Sequence, residues 1–162
     1  MLDTLNALRG FGIEGEVLAC TPYGNGHINR TYLAETTSSR RYILQMINKT
    51  VFKNPEQLMA NIEAVTRHIR RKTADPRGAL TFVPAWYGRS FHVDEAGEYW
   101  RVYDFINDSL CLDAAEFPSD FYQSAVGFGM FQKMLTDFPA ETLYETIPNF
   151  HNTEDRYLKF KA

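Results

Sequence analysis

The apolar and polar positions of the chain group into short strand-like runs and a few helical ones. Residues 16–21, 29–36 and 40–47 are brief runs rich in apolar, aromatic and β-branched side chains, the composition of strands. Their short links predict an antiparallel meander. A short helix is predicted ahead of them over residues 3–9, stopped by Gly10 and Gly12. The clearest helix follows the third strand. Asn54 is a good N-cap, and Pro55 suits the first helical position, where a missing N–H breaks no intrahelical bond. Leu58, Ile62, Val65 and Ile69 then fall on one face, to about residue 72.

Strand signals resume over residues 80–87 and 90–93. After the turn residues Asp94, Glu95, Ala96 and Gly97 they return over residues 98–106. Pro118, Ser119 and Asp120 then open a second long helix, about residues 120–136. Its predicted buried stripe is Phe121, Ala125, Phe128, Phe131 and Leu135. Residues 137–151 read as irregular. Asn152 starts a last helix that reaches the final residue with no stop signal, so the chain reads as cut short. The predicted class is α+β: a strand-rich unit with one long helix over residues 1–106, then a connector and helices over residues 107–162.

Composition narrows the function classes. The 162 residues suit one domain or two small lobes. At 44% hydrophobic and 23% charged, the chain sustains a core and is not a disordered tail. A net charge of −3 argues against a nucleic-acid partner. The basic run from Arg67 to Lys72 sits at a predicted helix end, where cations favour the dipole. Cys20 and Cys111 share no Cys-x-x-Cys spacing, so neither a zinc nor a redox motif is expected, and isolated thiols fit a reducing compartment. The N-terminus does not read as a signal peptide, and no apolar run approaches about 18 residues. The expected location is the cytoplasm, with no membrane partner.

The candidate chemistry begins at Thr21–Glu35, TPYGNGHINRTYLAE. Gly24 and Gly26 bracket Asn25 between two predicted strands. A dinucleotide-type loop would lead into a helix and carry a third glycine where Asn29 stands, so the context fits neither Rossmann nor Walker loops. It fits a glycine hairpin lying over nucleotide phosphates, since a backbone without side chains can approach them closely. A plain tight turn is the competing reading. The element order, glycine hairpin, third strand, helix, strands, connector and helices, is that of a kinase small lobe entering its large lobe. In such a lobe the third strand offers a lysine to the phosphates and the helix a glutamate to that lysine. Here Gln45 occupies the lysine position and Glu63 lies on the helix. An amide can orient a phosphate but brings no charge. His27, His68 and His92 show no metal or triad spacing and read as surface or packing residues, while the segment from His151 to Asp155 opens a helix and lacks a catalytic-loop pattern.

GNGHINRTYL, RYILQMIN followed by VFKNPEQLMANIEAVTRHI, EYWRVYDFIND and LTDFPAETLYETIPNFHNT together resemble the aminoglycoside-phosphotransferase-like kinases, closest to their N-acetylhexosamine 1-kinase branch. The resemblance runs over essentially the whole chain. It implies an ATP site at a lobe junction. Tyr103 would stand at the back of the adenine pocket, Asp104, Phe105 and Ile106 would form the hinge whose backbone pairs with adenine, and Leu18 and Ile43 would sandwich the ring. Glutamine in the third strand is usual in that branch, whereas Arg30 stands where an acidic residue is common. The family's H-x-D-x-x-x-x-N loop and its later metal-binding Asp-x-Asp segment do not occur in the sequence, so no catalytic residue and no Mg2+ ligand carries over.

Two functions of different class follow. In one, the chain is the N-terminal part of an ATP- and Mg2+-dependent kinase for the anomeric hydroxyl of an N-acetylhexosamine, binding nucleotide weakly and inactive alone. A kinase for choline, homoserine or an aminoglycoside is the variant of that reading. In the other, the chain is a non-catalytic module that meets a partner, or itself, through the apolar faces of its later helices.

Overall fold

Strands β1 (Val17–Pro22), β2 (Arg30–Thr36), β3 (Arg41–Met46), β4 (Phe82–Val83), β5 (His92–Val93) and β6 (Tyr99–Asp104) form one antiparallel sheet in the order β1-β2-β3-β6-β4, with β5 also on β6. The structure, a computed structural model, describes residues 2–109, 112 and 114–162, so the expectation for Cys111 lies outside the described residues. The helices are α1 (Leu2–Arg9), α2 (Pro55–Arg70), α3 (Pro118–Met134) and α4 (Thr153–Lys161), with a 3-10 turn at Ala140–Thr142. The mixed class and the meander agree with the sequence reading.

Each face of the sheet is covered by one helix because each presents alternate residues of the same strands. Tyr42, Leu44, Trp100 and Val102 pack with Ala7 and Leu8 of α1 and with Phe11. Tyr42, Leu44, Leu8, Phe11 and Val102 are completely buried, each worth about 1.5–3 kcal/mol relative to exposure. On the opposite side Met59 of α2 packs with Ile47 and Phe91, and Leu58 and Ile62 border that cluster. Asn54 caps α2 as expected, its side chain accepting from the Gln57 N–H at 3.1 Å. Of the expected stripe, Ile69 is buried while Leu58, Ile62 and Val65 are half-buried, and Met59, outside that stripe, is the other buried apolar residue beyond Pro55.

The strand expected over residues 80–87 shrinks to Phe82–Val83 plus an isolated bridge from Ala85 to Phe11. Pro84 explains the break, since it has no N–H for a ladder. Its carbonyl instead accepts from Gly12, and the Trp86 N–H donates to the Gly10 carbonyl, so the segment after α1 replaces a sheet neighbour. The Asp94–Gly97 turn is built as expected around one carboxylate. Asp94 accepts from the amides of Ala96 and Glu98 at 3.0 and 2.8 Å and from the Trp100 indole at 2.7 Å.

The buried stripe expected on α3 is not buried. Phe121 and Phe128 are 66% and 69% exposed, and α3 has no buried residue. Its apolar side chains, Phe121, Tyr122, Val126, Phe128, Met130 and Phe131 among them, surround the axis rather than forming one stripe, the pattern of a helix covered on several sides. Only its end is tied to the sheet unit. Lys72 bonds the Met134 carbonyl and Asp137, His68 meets Asp137 at 3.1 Å and Phe138 edge-on, and Asn61 exchanges two hydrogen bonds with the Tyr144 backbone. The basic run at the end of α2 thus clamps neighbouring chain, with Arg70 reaching the Ala79 carbonyl at 2.7 Å.

Candidate nucleotide-binding site

Directly paired residues share a face of the sheet, so the register defines two rows. Thr31, Gln45 and Arg101 form the first, across β2, β3 and β6. Leu33, Ile43 and Tyr103 form the second, about 7 Å away, with Phe82 beside Tyr103. The first row lies at the end of β2 that leaves the glycine loop, and the second lies nearer the 104–106 connector.

The first row is a connected polar chain. The Gln45 amide nitrogen donates to Thr31 Oγ1 at 2.9 Å, which leaves Gln45 Oε1 to accept twice from Arg101, from Nε at 3.0 Å and from Nη2 at 2.7 Å. Arg101 Nη1 lies 3.7 Å from Met59 Sδ on α2. No carboxylate among the described residues pairs with Arg101. Burial therefore lowers the affinity of its guanidinium for a proton, opposed only by the Tyr103 oxygen. Burial likewise pushes the Tyr103 phenol up, while neighbouring Arg101 pulls it down and Tyr23 pushes it further up.

Glu63 does not join this row. It sits one helical turn beyond Met59, half-exposed, with Arg67 at 3.9 Å, and lines a cavity of about 500 Å³ between α2 and residues 80–90. Glu63, expected to reach towards Gln45, is thus paired elsewhere, and Gln45 meets the Arg101 guanidinium on the adjacent strand.

The loop over residues 23–29 carries Gly24, Asn25 and Gly26 at its exposed tip. Gly24 has φ +75°, a left-handed conformation that glycine adopts without strain. A Cβ at either glycine would meet nothing within 4 Å. Packing therefore does not require glycine at 26. Asn29 anchors the loop, its side-chain oxygen accepting from the Asn48 N–H at 3.0 Å while Asn48 returns a bond to the Ile28 carbonyl. Tyr23, at the loop's start, bonds Thr31 and sets its ring edge-on to Phe105 at 5.7 Å.

The connector is partly committed. The Asp104 N–H donates to the Thr81 carbonyl and the Phe105 N–H to the Arg41 carbonyl, while the Arg41 guanidinium lies 4.3 Å above the Phe105 ring. Among the described residues the Ile106 N–H has no protein acceptor. Ile43 is 4% exposed and Leu18 69% exposed. They stand two strands apart, Leu18 in a bulge of β1.

Sequence reasoning missed Arg101 and Tyr23. A signal for Arg101 was present: a charge in the middle of YWRVY, flanked by the core residues Trp100 and Val102, must face the other side of the sheet. Of the histidines, His68 and His92 are packing residues, the latter against Phe11 and Tyr87. Cys20 is a free thiol raised by burial beside α1. Among the described residues no group of three His, Cys, Asp or Glu side chains is placed to hold a metal ion, and no helix is long and apolar enough to cross a membrane.

No family model matches the chain. Among solved structures it is similar to an aminoglycoside phosphotransferase from Alicyclobacillus acidocaldarius, with a TM-score of 0.64 at 12% identity. The match covers 96% of this chain and 41% of that one, so the chain spans less than half of the solved protein. At that identity the likeness speaks for the fold. Nearly the whole chain therefore shares the fold of the corresponding part of that solved structure.

Proposed function

We propose that the chain is the nucleotide-binding part of an ATP-dependent small-molecule kinase. The observation that supports it most is one sheet face that carries, in order, a glycine loop, the Thr31–Gln45–Arg101 row, Tyr103 and the connector. In this reading the backbone of Gly24, Asn25 and Gly26 lies over the phosphates, and Asn29 fixes the loop's base. Ile43 meets the adenine from the sheet, with Leu18 at the outer edge and Tyr103 at the back. The Ile106 N–H pairs with the base, because those of Asp104 and Phe105 are already used. The sequence resemblance favours the anomeric hydroxyl of an N-acetylhexosamine as phosphoryl acceptor, ahead of choline, homoserine or an aminoglycoside.

The missing H-x-D-x-x-x-x-N and Asp-x-Asp segments would supply the hydroxyl-orienting aspartate and the Mg2+ ligands. Without them the chain binds but does not turn over. Calorimetric titration of the purified chain with ATP and with adenosine tests the reading. Saturable binding of both is expected, and failure of both to bind removes the nucleotide site. Phosphate transfer to N-acetylglucosamine or N-acetylgalactosamine by this chain would contradict its inactivity.

The exposure of α3 favours one further role, self-association through its aromatic side chains. A sedimentation mass that stays monomeric at high concentration argues against it.

A further inference from the structure

We infer that Arg101 is the phosphate-contacting cation of this site, aimed by Gln45, so that the charge usually carried by the third strand comes from the strand beside it. The inference rests on the nucleotide reading above. It starts from an imbalance. Arg101 is a largely buried cation whose polar partner is a neutral amide, where buried charges are ordinarily paired with an opposite charge. Tyr103, two residues on along β6, carries a phenol and not a carboxylate.

The arrangement holds the guanidinium in one orientation without neutralising it. Gln45 is itself fixed by Thr31, so its oxygen, not its nitrogen, faces Arg101. The amide takes Nε and one N–H of Nη2, and Met59 sulfur takes one of Nη1. Each terminal nitrogen keeps a further N–H with no acceptor among the described residues. That is a preset fork of the kind that fits phosphate oxygens. Its place is consistent with that ligand. Thr31 is the residue after Arg30, where β2 leaves the glycine loop, so the row lies at the loop end of the sheet while the connector lies at the other. A lysine at position 45 would put its own charge against Arg101, so the glutamine and the arginine explain each other.

The test compares ATP with adenosine on the full chain, with three variants. Arg101→Met removes the charge and keeps an apolar stem beside Met59. Gln45→Glu keeps the shape and neutralises the guanidinium in place. Arg101→Lys keeps a charge but loses the fork. Thermal unfolding monitors the fold of each. The expected result is that the wild type binds ATP more tightly than adenosine. Arg101→Met and Gln45→Glu then lose about tenfold or more of ATP affinity and leave adenosine unchanged, with Arg101→Lys in between. Gln45→Glu should fold at least as stably as the parent, which separates the charge from any structural role. Unchanged ATP affinity in Arg101→Met or Gln45→Glu overturns the inference while the nucleotide reading stands. Equal loss of ATP and adenosine also overturns it, as the mark of a structural residue. A wild type that binds neither ligand sinks both.

Discussion

Substituting the two loop glycines separates their conformational role from their proposed ligand role. Gly24 needs φ +75°, and an L-residue held there costs about 1–2 kcal/mol. Gly24→Ala should therefore lose about 1 kcal/mol, a fall of roughly 2–4 °C in Tm for a chain of this size. Gly26 has no left-handed φ, and an added Cβ meets nothing within 4 Å. Gly26→Val should leave stability within about 0.5 kcal/mol of the parent. Binding should rank the other way. Under the proposed reading, a valine at 26 adds bulk to a backbone that must approach phosphates closely. Losing one charge-assisted bond from a backbone N–H is worth about 1.5–3 kcal/mol, or roughly 10- to 100-fold in Kd. The assay pairs thermal unfolding with titration of ATP and adenosine. Adenosine affinity should hold in Gly26→Val while ATP affinity falls. A well-folded Gly26→Val with the parent's ATP affinity would refute the phosphate role and leave the loop an ordinary hairpin turn.

Further outcomes follow from contacts away from the loop. Asp94→Ala should destabilise by about 2–4 kcal/mol, because the buried Trp100 indole loses its acceptor and the turn amides lose theirs; a Tm within 1 °C or so of the parent, read by calorimetry, contradicts this. Although burial opposes it, hydrogen bonds from Trp100, Glu98 and Ala96 hold the Asp94 carboxyl below its ordinary range. Its contribution is thus complete above the unfolded-state pKa and is lost as pH falls below about 4, so the gap between parent and Asp94→Ala should narrow in acid. Asn54→Ala should cost about 1 kcal/mol by chemical denaturation, through the lost cap of α2. Phe121→Lys with Phe128→Lys should leave the unfolding temperature unchanged, since neither ring is buried, and should lower the sedimentation mass at high protein concentration if α3 mediates association.

The elements were legible wherever one local rule decided them. Asn54 and Pro55 mark the start of α2, and the Asp94–Gly97 turn is written in its own residues. The short β4 was legible only in part, because Pro84 forbids the ladder while the Gly10–Gly12 segment that replaces it lies some 70 residues away in sequence. The α3 stripe failed for a different reason. Apolar spacing says which residues want cover, and only the rest of the fold says whether cover is there.

The site shows the same division more sharply. Gln45 stands at the place of a lysine along β3, and Glu63 at the place of that lysine's usual partner on α2. The first placement is local and puts Gln45 on the face that α2 covers. The second assumes a charge at 45 that is not there. With no charge at 45, a glutamate has nothing on β3 to hold, and Glu63 turns to Arg67 instead. The charge enters through the register, which places residue 101 opposite residue 45, a separation of 56 positions that no sequence window spans. What joins them is a rule of strands rather than of motifs: residues paired across a ladder share a face. An amide at a lysine's usual place thus acquires its meaning from the cross-strand neighbour that shares its face.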